Sequence, residues 1–209
     1  MMTSGATRAA AMAIARLLPI GGCARGGDPP GDAVAPAHSV ADPGAIAEGE
    51  SIFDLDLDLI DQDGHELELA DLRGDVMVAA MVYTSCTSVC IMVTEQMKAI
   101  EQQLAGVDAD VKYALFSLDP GRDTPEAMRT FAREHRLDGS RWRLMAASED
   151  GVRDLAAVFG VKYQLEENGE FAHSAMIFVI DDNGVVRHRQ VGVGKDSREL
   201  VTAVRKAQG

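Results

Sequence analysis

Residues 76–83 read Val-Met-Val-Ala-Ala-Met-Val-Tyr, an unbroken apolar run. A strand with one wetted face alternates apolar and polar residues; this run does not, so both its faces must be covered. It is followed at 91–104 by helical spacing at Ile91, Met97, Ile100 and Leu104, and at 111–118 by a second apolar run. Buried strand, helix, buried strand is the pattern of a parallel crossover in an α/β sheet with helices on its faces.

The rest of the chain extends that pattern. Phe53–Leu59 alternates strictly, Asp63-Gly64 turns, and Glu66–Leu69 alternates again, which predicts an N-terminal β-hairpin. Asp54, Asp56 and Asp58 on its outer face form a row and do not converge, so they read as a solvated sheet edge, not a calcium site. Pro125–Arg136 is a helix with Thr124 as its cap, Trp142–Ala146 a short strand, and Ser148–Phe159 a helix stopped by Gly160. Val161–Glu166 is strand-like, with Asn168-Gly169 turning the chain. Ala175–Ile180 and Val185–Val191 form a hairpin around Asp182-Asn183-Gly184, and a last helix covers Asp196–Lys206. The fold class is α/β, a mixed central sheet flanked by helices.

All ten aromatic residues of the 209-residue chain lie beyond residue 50, which places the core in 51–207. Residues 1–22 resemble a lipoprotein-type signal peptide: Arg8, an apolar stretch at 9–20, then Gly21-Gly22-Cys23, with Cys23 as the lipidation site. Residues 23–50 contain 16 Gly, Ala or Pro and no aromatic residue, and read as a disordered tether. The expected location is extracytoplasmic, on the periplasmic side, with the domain held to a membrane through its lipid. With 20 basic and 33 acidic residues the formal charge is −13, which disfavours nucleic acid as a partner.

The three cysteines are an odd number, so a fully paired disulfide scaffold is excluded. Cys86 and Cys90 fall where the buried strand gives way to a helix, and sites in open α/β sheets lie at the carboxyl ends of strands. Their spacing predicts two thiols on one face of the first helical turn, both acidified by its free N–H groups. Such a pair can chelate one soft metal ion or close a disulfide. An imidazole is the natural third ligand. His65, His135 and His188 read as solvent-exposed; His173, directly before the apolar strand Met176–Ile180, is the candidate. Every proline precedes residue 126, so the cis-proline that thioredoxin-type oxidoreductases place beside their thiols has no counterpart here. Asp119 and Asp123, in the loop after the second apolar strand, are candidate outer partners of the site, with Asp119 orienting the histidine and Arg122–Asp123 as an ion pair. Met77, Met81, Met97 and Met176 sit at core-type positions.

Three ordered motifs, Tyr83-Thr-Ser-Cys86-Thr-Ser-Val-Cys90, Ser117-Leu-Asp119-Pro-Gly-Arg-Asp123-Thr-Pro125 and Phe171-Ala-His173-Ser174, resemble the SCO/SenC family. That resemblance covers essentially all of 51–207. It implies a thioredoxin-like fold, copper as Cu(I) or Cu(II) bound by Cys86, Cys90 and His173, and a metallochaperone role in assembling the copper centre of cytochrome c oxidase. The implied partners are a copper donor, the copper-bearing oxidase subunit, and other thiol-disulfide or copper chaperone proteins. The family pattern carries a proline after each cysteine; Thr87 and Ile91 stand there in this chain, and Thr87 is expected to cap the helix through its hydroxyl. The alternative reading is a thiol-disulfide reductase or thiol peroxidase using Cys86 and Cys90 as a redox-active pair.

Overall fold

The computed structural model describes residues 50–105 and 110–209. Residues 1–49, on which the expected signal peptide, Cys23 and all but the last residue of the expected tether fall, lie outside the described residues.

Nine strands, β1 (Asp58–Asp61), β2 (Glu66–Glu68), β3 (Met77–Val82), β4 (Lys112–Ser117), β5 (Trp142–Ala147), β6 (Tyr163–Leu165), β7 (Phe171–His173), β8 (Met176–Ile180) and β9 (Val186–Val191), alternate with four α-helices among the described residues. The helices are α1 (Val89–Leu104), α2 (Pro125–Glu134), α3 (Glu149–Phe159) and α4 (Arg198–Ala207). The main sheet has the order β2-β1-β5-β4-β3-β8-β9, with β3, β4 and β5 parallel and the outer strands antiparallel to their neighbours. The two apolar runs thus sit at its centre, and β3 and β8 are buried along their whole length. Helices α1 and α4 pack on each other and against β3, β8 and β9, while α2 and α3 pack on β5. Tyr113 and Trp142 stack at 4.7 Å, and the Trp142 indole N–H donates to Glu101 Oε2 at 2.9 Å, so the one tryptophan is buried with its polar atom satisfied.

Local chemistry accounts for the element ends. The Thr124 and Ser148 hydroxyls accept from the N–H groups of Ala127 and Gly151, and Gly160 closes α3 in the left-handed region at φ 70°. Helix α2 stops at Glu134, two residues short of the predicted end, because Arg136 turns to φ 54°.

Two predicted elements differ. The alternation at 53–59 predicts a strand, but Ile52–Asp54 is a 3-10 turn, and the strand runs only over Asp58–Asp61. Ile52 and Phe53 are adjacent and both buried, which a half-wetted strand cannot achieve. The Ser51 hydroxyl accepts from the Phe53 N–H, and Ile52 N–H donates to the Gly184 carbonyl at 3.0 Å, locking the turn onto the β8–β9 connection. Gly184 has φ 84°, and a Cβ there would lie 2.4 Å from Ser51 Oγ, so the close approach requires glycine. The second differs only in its sheet: the strand expected at 161–166 is present at Tyr163–Leu165 and the chain turns at Asn168-Gly169 as expected, but the strand lies outside the main sheet. Strands β6 and β7 pair with each other as a separate two-stranded ribbon, with Tyr163 opposite His173. Among the described residues no helix is long and apolar enough to cross a membrane.

Candidate metal centre

The loop leaving β3 bends at once: the Cys86 N–H donates to the Tyr83 carbonyl at 3.2 Å. Cys86 therefore precedes α1, whose N-cap is Ser88, and only Cys90 stands on the helix. This corrects the expectation of two thiols on one helical face, and Thr87 is not the cap. The two sulfurs converge all the same, because the Cys90 N–H points at Cys86 Sγ across 3.4 Å. His173 arrives on β7, with Nε2 at 3.2 Å from Cys90 Sγ. The ligand atoms of Cys86, Cys90 and His173 all lie within 4.8 Å of one another. Both cysteines are free and buried.

The protonation pattern follows from the neighbours. His173 Nδ1 lies 3.3 Å from the Ser174 carbonyl, which only accepts, so Nδ1 carries the proton and the Nε2 lone pair faces Cys90. Burial lowers the His173 pKa and keeps the ring neutral. Burial also pushes the Cys90 thiol well up, and the neighbouring Cys86 sulfur adds to the shift. Burial acts on Cys86 in the same sense, but the Ser88 and Cys90 N–H groups outweigh it and bring that thiol below its ordinary value. The expectation that both thiols are acidified thus holds for Cys86 and fails for Cys90. The helix terminus aims its N–H groups at the sulfur outside the helix, while the sulfur on the helix is turned into the core. Cys86 is the thiolate-forming member; Cys90 keeps its proton, which lies between the Cys86 sulfur and His173 Nε2.

The acidic loop buttresses the site from below. Asp123, 2% exposed, accepts from the Thr84 N–H at 3.1 Å, the Thr84 hydroxyl at 2.5 Å and the Ser117 hydroxyl at 2.6 Å. It ties the cysteine loop to the end of β4. Asp119 takes a different place from the one expected: its carboxylate is paired with Arg122, and the Ser174 carbonyl is what meets the histidine. The Arg122–Asp123 pair is likewise replaced by Arg122–Asp119. Arg122 Nη2 also donates to the Gly169 carbonyl at 2.7 Å, and its guanidinium lies 6.0 Å over the Phe171 ring. Arg122 thereby clasps the β6–β7 ribbon that carries His173.

Tyr83 holds the same ribbon from the other side. Its hydroxyl exchanges hydrogen bonds with the Phe171 backbone, and its ring meets His173 edge-on at 5.9 Å. Burial raises its phenol to about 12, so it stays neutral. Sequence reasoning missed the positioning roles of Tyr83 and Arg122; the one available signal was a phenol ending an otherwise wholly apolar run.

Of the other histidines, His65 is exposed, His188 is half-buried, and His135 is only 17% exposed because its ring packs on Phe131 at 4.2 Å. The last two depart from the solvent-exposed reading. Asp61, Asp63 and His65 also come within ligating range. However, Asp61 Oδ1 already accepts from the Asp63 and His65 N–H groups at 2.9 Å, closing the hairpin turn. Asp181 closes the β8–β9 turn in the same way, through Asn183 and Val185.

Comparison with known proteins places this geometry. The SCO1/SenC family model matches residues 47–208. The SCO1 protein homolog of Bacillus subtilis (strain 168) is 25% identical over 135 residues, covering 63% of this chain and 70% of its own length. A SCO1/SenC family lipoprotein from Bacillus anthracis str. Ames superposes with a TM-score of 0.68 at 26% identity, covering 74% of this chain and 95% of that one. Arabidopsis thaliana ScoI, solved with copper bound, superposes with a TM-score of 0.62 at 20% identity over 72% of this chain and 94% of its own, a likeness of fold.

Proposed function

Because the chain belongs to the SCO1/SenC family and has its thioredoxin-like fold, we propose that it is a copper-binding metallochaperone that assists assembly of the copper centre of cytochrome c oxidase. The observation that carries this reading is the convergence of Cys86 Sγ, Cys90 Sγ and His173 Nε2 within 4.8 Å. Two soft sulfurs and one imidazole suit Cu(I), and the imidazole also accommodates Cu(II). The donor set fits the ion: the Nε2 lone pair points inward, Cys86 ionises readily, and the Cys90 proton is the one that copper must displace. Copper here is cargo, received from a donor and passed on by ligand exchange. The copper-bound Arabidopsis thaliana ScoI shares this fold, which supports the choice of metal.

In this reading the protein works outside the cytoplasm, on the periplasmic side, tethered by residues 23–50 to a lipid on Cys23. Its partners are a copper donor, the copper-bearing oxidase subunit and other thiol-disulfide or copper chaperones. Mass spectrometry of the mature protein tests the anchor, which requires acyl groups on Cys23. Copper titration of the reduced protein and its His173→Ala variant tests the site. The native protein is expected to bind one copper tightly and the variant to lose both the affinity and the spectrum; equal binding by the two overturns the ligand set.

A second reading is thiol-disulfide exchange by the same pair. The observation favouring it is the asymmetry between an acidified Cys86 and a protonated Cys90, the arrangement of an attacking and a resolving thiol. It predicts rapid reduction of a partner disulfide by copper-free protein, lost in Cys86→Ser.

A further inference from the structure

Tyr83 is tied to both ends of the ligand set. It directly follows β3, just ahead of Cys86, and its carbonyl accepts the Cys86 N–H at 3.2 Å. Its hydroxyl accepts from the Phe171 N–H at 3.3 Å and donates to the Phe171 carbonyl at 3.4 Å, on the strand that carries His173. A phenol can do both because its oxygen offers a proton and lone pairs; a plain phenyl ring can do neither.

The ribbon needs such a tie. Strands β6 and β7 pair with each other outside the main sheet, so the hydrogen bonds of that sheet do not place His173. Phe171 and His173 share a face of β7, since alternate residues of a strand do. The Tyr83 ring meets both edge-on, at 5.5 Å and 5.9 Å between centroids, and the residue is buried. Arg122 holds the turn of the ribbon at the Gly169 carbonyl, whereas Tyr83 holds the strand beside the imidazole. The Ser174 carbonyl fixes which ring nitrogen faces Cys90, and Tyr83 fixes where the ring stands.

The two oxidation states of copper ask different things of that placement. Cu(I) is selected by soft sulfur, which Cys86 and Cys90 supply, whereas Cu(II) takes tetragonal sites with nitrogen in them and depends on where the imidazole stands. We infer that Tyr83 is a positioning residue whose hydroxyl sets the preference of the site for Cu(II) over Cu(I), by holding the His173 ring against the two sulfurs; the inference rests on the copper-chaperone reading above. Removing the hydroxyl keeps the ring contacts but releases the Phe171 N–H and carbonyl. Strand β7 then gains play against α1, and the 3.2 Å spacing between His173 Nε2 and Cys90 Sγ is no longer fixed. Cu(II) loses more by this than Cu(I) does.

The test is the Tyr83→Phe variant of the 209-residue chain, compared with the native chain under anaerobic conditions. Chelator competition gives the Cu(I) and Cu(II) affinities. The sulfur-to-Cu(II) absorption band and the reduction potential report the loaded site, and amide hydrogen exchange reports the metal-free protein. The expected result is a Cu(II) affinity lower by roughly tenfold, with the Cu(I) affinity within about twofold of native. A roughly tenfold fall in the Cu(II)-to-Cu(I) affinity ratio raises the reduction potential by about 59 mV for a one-electron couple. The absorption band shifts, and exchange at Phe171 quickens while the main sheet keeps its native protection. Equal loss of both ions, or faster exchange throughout the main sheet, makes the hydroxyl a prop of the fold and overturns the inference. Native Cu(II) affinity, absorption band and potential in the variant overturn it as well. If the native chain binds neither ion, the chaperone reading itself falls and this inference with it.

Discussion

Cys90 Sγ and His173 Nε2 stand 3.2 Å apart although 83 residues separate them in the chain. With Nδ1 held by the Ser174 carbonyl, the ring nitrogen that faces Cys90 is an acceptor, and the Cys90 thiol stands between it and the Cys86 sulfur. The two atoms lie close enough to bind one ion together with Cys86 Sγ. Replacing His173 by Ala removes one of the three proposed ligands and the ring nitrogen beside the Cys90 thiol. Copper affinity is expected to fall by roughly 100-fold or more, measured by competition with a chelator of known affinity. His173→Asn, which keeps polarity without a strong donor, is expected to fall nearly as far.

The thiol asymmetry predicts a pH dependence for Cu(I) binding. Between the lowered Cys86 pKa and the raised Cys90 pKa, Cys86 is ionised, Cys90 is protonated and His173 is neutral. Binding then releases one proton, so affinity rises with pH by about tenfold per unit. Below the Cys86 value two protons leave, and the slope steepens to about 100-fold per unit. Competition titrations from about pH 6 to about pH 9 check this. Alkylation of the metal-free protein is expected to label Cys86 ahead of Cys90.

The central features of this fold were legible from local pattern. A run such as 76–83, apolar at every position, has to lie inside a sheet, and a thiol pair at its end has to face the sheet edge. His173 was legible as a candidate from its place before another apolar strand. What the pattern could not carry was non-local. The burial of Cys90, which reverses its acidity, depends on α1 packing against β3 and β8. The partner of Asp119 depends on where Arg122 reaches, and that is set by Gly169 and Phe171, which come from a different part of the chain. The alternation at 53–59 misled because Ser51 and Gly184 recruit Ile52 and Phe53 into a turn across the molecule.

Asp123 tests the buttress under the cysteine loop. Burial raises its pKa, and the Ser117 and Thr84 donors offset this only in part. Below the unfolded value of 3.8 both states are protonated. As pH climbs from there to the raised folded value, the unfolded chain gives up its proton first, so the folded state binds more protons and stability falls. Above the folded value the decline stops. Asp123→Asn is expected to abolish that decline in denaturant titrations. Asp123→Ala leaves the buried Ser117 hydroxyl and the part-buried Thr84 N–H and hydroxyl without their acceptor and is expected to cost on the order of 3 kcal/mol.

Arg122 sets the position of the β6–β7 ribbon and, through it, of His173. Its Nε is engaged by Asp119, its Nη2 donates to the Gly169 carbonyl, and its plane lies over Phe171. Three contacts from one planar group define an orientation as well as a distance. Arg122→Ala is expected to leave the fold intact, since the side chain is about half exposed and outside the core, while loosening the histidine. Copper affinity should fall by roughly 10-fold, the scale at which outer partners tune a metal site. Arg122→Lys should not restore it, because an ammonium cannot satisfy Asp119 and Gly169 in one plane while covering Phe171. Asp119→Asn removes the charge that holds Nε and is expected to weaken copper in the same direction, less than Arg122→Ala does, since the Gly169 and Phe171 contacts remain. Equal copper affinity in Arg122→Ala and the native protein, with far-ultraviolet circular dichroism unchanged, would show that β7 holds His173 without the clasp.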